Sequence, residues 1–146
     1  MSFLKALDIS ASGMTAQRMR LDIASENITN ASTTRTENGE PYRRKMVVFE
    51  SVEEGGFRQA LRNASAGASA GGGVVVSQII EDERDFKMEY DPSHPDADEN
   101  GYMRLPNVDL IKETIDSMSA ARSYDANLMA FNAIELMASK ALEIGK

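Results

Sequence analysis

The first thirty residues return an apolar side chain every third or fourth position, which constrains this part of the chain to lay a stripe along a helix. Leu4, Leu7, Ala11, Met14, Leu21 and Ile28 fall at alternating positions of a heptad, with Arg18 and Ser25 as polar interruptions in the same register. Helix formers predominate until Asn27, Thr29, Asn30, Ser32, Thr33 and Thr34, whose short polar side chains compete for backbone hydrogen bonds. The pattern predicts a helix that stops near Asn30 and is about 40 Å long at about 1.5 Å per residue.

After Pro106 the pattern resumes. Val108, Ile111, Ile115 and Met118 keep the spacing, and Ala121, Leu128, Phe131, Ile134, Met137, Ala141 and Ile144 continue it past a register shift around Arg122. This run predicts a second helix of about 55 Å. A compact domain of 146 residues is only about 30–35 Å across, so the two helices are expected to pack on each other and on neighbours. Their seams contain alanine and methionine among the leucines and isoleucines. Such seams are thin for an isolated dimeric coil but suit close packing in an assembly, and helices of this kind gain most of their stability from tertiary contacts.

Between the helical ends the periodicity changes. RRKMVVFESV (43–52) and VVVSQIIEDE (74–83) are β-branched runs of strand length, and FKMEY (86–90) reads as a third strand. ENGEP (37–41) and the Pro- and Asp-rich 91–101 supply turns, while NASAGASAGGG (63–73) reads as a flexible loop. No Gly-Lys-Ser/Thr follows that loop to make it a phosphate-binding turn. The predicted fold class is therefore α+β: long N- and C-terminal helices packed as a coiled-coil-like pair, with a small β-rich module between them. The expected divisions are 1–34, 35–105 and 106–146.

Few chemistries survive inspection of the polar residues. Asp96, Asp98 and Asn100-Gly101 begin like a calcium-binding loop, yet its ninth, eleventh and twelfth positions are Arg104, Pro106 and Asn107, where an oxygen ligand, a helix residue and a bidentate glutamate belong. A solvated Asp/Asn/Gly turn is the simpler reading. The sole histidine, His94, stands between Ser93 and Pro95, with Pro92 two residues before it; adjacency of Ser and His in sequence is not a catalytic dyad. Cysteine is absent, which removes disulfides and thiolate chemistry. The net charge is −7, and the stretch 81–99 carries nine acids against Arg84 and Lys87. That band reads as a solvated face, and no basic face suited to nucleic acid is visible. MSFLKALDIS has no basic n-region or long apolar run, and no segment approaches the roughly twenty apolar residues of a membrane span. Neither a cleaved signal peptide nor membrane insertion is expected.

Ser12-Gly13-Met14-Thr15-Ala16-Gln17, Leu21 and Ala24-Ser25-Glu26-Asn27-Ile28-Thr29-Asn30-Ala31 together resemble the N-terminal signature of bacterial flagellar rod and hook proteins. Gly39-Glu40-Pro41-Tyr42-Arg43-Arg44-Lys45, Asp91-Pro92-Ser93-His94-Pro95-Asp96-Ala97-Asp98 with Gly101-Tyr102 and Pro106-Asn107-Val108, and Ala121-Arg122-Ser123-Tyr124-Asp125-Ala126-Asn127 are similar to the members that build the proximal rod. The match touches all three regions. Two departures stand out: Glu26 replaces the Ser or Asn common in relatives, and 63–73 is richer in Ala and Gly than the family suggests.

This resemblance implies a non-catalytic structural subunit of the flagellar basal body, without cofactor or metal, that polymerises through its terminal helices into the drive-shaft tube. It further implies export through the flagellar type III apparatus without signal cleavage, a periplasmic location, and other rod proteins, copies of itself and surrounding rings as partners. The expected helix-seam contacts are Leu4, Leu7, Met14, Leu21, Ile28, Ile111, Ile115, Met118, Leu128 and Phe131. Asn27 and Asn30 are expected to end and brace the first helix, and Arg122, Tyr124 and Asn127 to offer polar interface contacts. Two other classes remain open on the residues alone: a cytoplasmic coiled-coil adaptor or secretion chaperone, and a calcium-binding regulator using 96–107.

Overall fold

A computed structural model of the chain describes residues 3–52 and 72–144. Helix α1 spans Phe3–Thr29 and helix α2 spans Leu110–Ile144. Between them lie two antiparallel ribbons: β1 (Lys45–Ser51) pairs with β2 (Val74–Glu81), and β3 (Lys87–Tyr90) with β4 (Tyr102–Leu105). The fold is thus α+β, a long helix at each end and a small two-sheet middle. Most of the glycine-rich stretch expected as a loop, 63–71, lies outside the described residues.

The helices end where side chains take over from the backbone ladder. At the close of α1, the Asn30 side-chain amide and backbone N–H both donate to the Glu26 carbonyl at 3.0 Å. Asp109 opens α2 by accepting from the N–H of Ile111 at 3.1 Å, a helix N-cap. The helix therefore starts three residues later than the proline alone suggests, because Pro106, Asn107 and Val108 are buried as a connector.

The two helices run antiparallel, with Asn27 near Glu113, Arg20 near Asp116 and Gly13 against Asn127. This register leaves the last turns of α2 extending beyond the start of α1. The seam differs from the apolar heptad read in the sequence. Its buried residues on α1 are Ser10, Ala16, Ile23, Ala24 and Asn27, and on α2 Glu113 and Ala120. Leu7, Met14, Leu21 and Ile28 are only half-buried on the adjoining stripe, about 100° around the helix. Small side chains let the backbones approach. A Cβ added at Gly13 would sit 3.0 Å from the Asn127 amide.

The β1–β2 ribbon lies along α1. Its base is tied at Lys45 to Asn27, and its far end at Val74, whose N–H donates to Ser12 Oγ at 3.1 Å. A bulge at Ser77, left unpaired where Val48 meets Gln78 and Phe49 meets Val76, bends β2. Strand β4, which carries no periodic signal, is returned to β3 by a tight turn at Gly101, where φ is +80° and an added Cβ would lie 2.9 Å from the Tyr90 ring. Phe86 joins the two ribbons, with the Arg43 guanidinium 4.4 Å from its ring centroid and Arg104 at 5.9 Å.

Candidate functional site

Two features stand out: a polar anchor that locks the helices and ribbons together, and an apolar stripe on α2 that the chain leaves open. The anchor is centred on Asn27, 1% exposed. Its Nδ2 donates to the Lys45 carbonyl and to Glu113 Oε2, both at 2.9 Å, and its Oδ1 accepts from Tyr42 Oη and the Lys45 N–H, also at 2.9 Å. All the hydrogen-bonding capacity of a primary amide is used. Glu113, equally buried, takes its second bond from Arg44 Nε at 2.6 Å. One residue on each helix therefore meets the start of β1.

A second ring of contacts extends the anchor to β2 and the α2 connector. Asn107 Oδ1 accepts from the Arg44 N–H at 2.8 Å, while its Nδ2 donates to the carbonyls of Asp82 and Arg84 at 2.9 and 3.1 Å. Buried Asp82 is gripped by the Arg84 guanidinium and approached by Arg44 Nη1 at 3.7 Å. The Arg84 side-chain bond is the main reason that the Asp82 carboxyl falls from 3.8 to about 2; the Arg84 backbone N–H and the charges of Arg84 and Arg44 add to it, and burial opposes it. Burial above all, with the charges of Glu26, Glu113 and Glu81, raises the Tyr42 phenol well above its ordinary value, keeping it a donor. Arg20 and Asp116 add a bidentate pair between the helices.

The chemistry of this arrangement is cohesion. Its carboxylates, amides and guanidinium groups are engaged with one another, and among the described residues no group of three His, Cys, Asp or Glu could hold a metal ion. In the loop suspected of calcium binding, Asp98 Oδ1 accepts from the N–H groups of Asn100 and Tyr102 at 2.9 Å, and Asp96 accepts from Thr34 Oγ1 at 2.8 Å. These carboxylates shape a turn and tie it to the α1–β1 connection.

The expected seam residues divide by exposure. Leu4, Ile111, Ile115 and Met118 are 68, 73, 62 and 53% exposed, and Leu128 is 39%. Leu7, Met14, Leu21, Ile28 and Phe131 are half-buried. Among the polar candidates, Asn27 and Asn30 brace the end of α1, Tyr124 and Asn127 are half-buried, and Arg122 is exposed on the outer face. Arg122 lines an open groove of about 390 Å³ with Ile115, Met118, Ser119, Ser123 and Ala126. The sequence reading did not single out Tyr42, Arg44, Asp82, Asn107 or Glu113 as site residues. Glu113 lies two residues from both Ile111 and Ile115, about 200° around the helix from that apolar spacing, so the spacing carried no signal for it.

Comparison with known proteins gives this architecture relatives. The family model described as flagella basal body rod protein matches residues 7–35, and that described as flagellar basal body rod FlgEFG protein C-terminal matches 99–144. The flagellar basal-body rod protein FlgC of Bacillus subtilis is 50% identical, with all of both chains covered. Those of Escherichia coli O6:H1 and Aquifex aeolicus are each 40% identical, covering all of this chain and 100 and 99% of theirs.

Proposed function

We propose, from the fact that this chain belongs to the FlgC family of flagellar basal-body rod proteins, that it is a structural subunit of the proximal rod and assembles through its terminal helices. The observation that carries this reading is the outer face of α2. Ile111, Ile115, Met118, Met129 and Leu136 are each more than half exposed, although the helix has already paired with α1 through another face. A stripe of this length in a single chain marks a contact surface. The anchor complements it, because it sets the angle of the helices before any neighbour arrives.

On this reading 1–34 and 106–146 form the rod core and 35–105 faces outward. The chain has no catalytic role; its partners are other rod proteins and copies of itself, then the export apparatus and surrounding rings. It acts in the periplasm, reached unfolded through the type III channel without signal cleavage. The topology supports that route: there is no cysteine to crosslink, and the β3–β4 ribbon closes over few residues, so part of the fold reforms by short loop closures.

Complementation in a motile bacterium lacking its own copy tests the proposal. Ile115→Asp is expected to abolish swimming and intact basal bodies while the purified variant, at monomeric dilution, keeps its thermal midpoint, because exposed positions usually change stability by no more than about 0.5 kcal/mol. Normal basal bodies in that strain would contradict the assignment.

A further inference from the structure

The exposed stripe on α2 matches itself when a second copy is laid against it in the opposite direction. Starting at Ile111, positions spaced by four and three residues reach Leu136 without meeting a buried residue, so a complete heptad seam faces outward. Two such helices, antiparallel and centred between Ser123 and Tyr124, set Ile111 opposite Leu136 and Met118 opposite Met129. Ile115 then meets Asn132. The middle layers place Arg122 of each copy against Asp125 of the other.

Neither Arg122 nor Asp125 has an ion-pair partner within the chain among the described residues. Both are exposed. Ser119 and Ala126, which line the groove beside the stripe, face each other across the same axis and let the helices approach closely. Charge, apolar size and small flanking residues thus agree on one register.

We propose that the free chain forms a two-fold antiparallel dimer through the outer face of α2. A C2 interface of this kind is closed and isologous, using the same patch on both copies. It cannot propagate into a tube. The proposal rests on the reading of this stripe as a contact surface and deepens it: the dimer holds free subunits in a state that must open before the stripe can serve an assembly.

Sedimentation equilibrium of the full chain should give a mass twice the 16.0 kDa of the monomer, falling to the monomer on dilution. Arg122→Asp brings like charges together and is expected to weaken association by at least about tenfold. Adding Asp125→Arg should restore it, because the reversed charges meet again. As the chain has no cysteine, orientation can be read from disulfides, which need Cα atoms within about 7 Å. A chain carrying both Met118→Cys and Met129→Cys should crosslink between copies, whereas Met118→Cys alone should not.

A monomer throughout the concentration range, failure of the charge reversal to rescue, or ready crosslinking of the single cysteine variant would each overturn the dimer. Motility separates the two proposals: a monomeric chain that still restores swimming loses the dimer and keeps the rod function. A dimer that fails to restore swimming does the reverse.

Discussion

At Asn27 an amide on α1 satisfies both backbone groups of Lys45, a tyrosine hydroxyl and a glutamate on the opposite helix. A shape-matched apolar substitute would strand all four. Asn27→Leu is accordingly expected to destabilise the chain by at least about 3 kcal/mol in urea unfolding, since each unmet buried polar group costs about 1–3 kcal/mol; a change below about 1 kcal/mol would show that the anchor carries little. Asp82 supplies a pH signature. Its pKa falls from 3.8 to about 2 on folding, so its ionised form contributes fully above about pH 4 and that contribution disappears as pH falls through about 2. Asp82→Asn should flatten the acid limb of the thermal midpoint, and parallel limbs for the two chains would contradict this. At this scale the sequence was legible only in part. Asn27 is legible as a helix-ending residue, but its partners lie up to 86 positions away, a pairing that local propensity cannot supply.

Along the elements, helix existence and type were clear from spacing, whereas the face each helix gives its partner was not. Heptad counting selects the largest apolar side chains, Leu7, Met14 and Leu21 on α1. The close intramolecular seam instead uses Ser10, Gly13, Ala16 and Ala24, because small residues permit backbone approach and buried polar groups find partners across the seam. Gly13 tests this directly. Gly13→Ala gains up to about 1 kcal/mol in helix propensity and forces the Asn127 amide to shift from a 3.0 Å contact, so its net effect should be small. Gly13→Leu cannot be accommodated in this way and should cost about 1–3 kcal/mol through overpacking. Equal stability for both variants would place the helices farther apart than described. Strand β4 escaped sequence reading for a related reason: four residues pair only because Gly101 turns the chain back.

As a whole molecule, the chain holds its own architecture through polar contacts and leaves an apolar stripe along α2 exposed. The α+β layout was legible because the period of the apolar pattern changes between the ends and the middle. The anchor was not, because it assembles residues from α1, the start of β1, the segment after β2, the α2 connector and α2 itself. Oxidative footprinting of the dilute free chain and of the same chain within purified basal bodies would compare the two surfaces at once. Met118 and Met129, 53 and 71% exposed in the free chain, should be labelled there and protected in the basal body, while Ile23 and Tyr42, 8 and 7% exposed, stay protected in both. Absence of the chain from basal bodies, or equal labelling of Met118 and Met129 in the two states, would contradict a rod subunit assembling through α2.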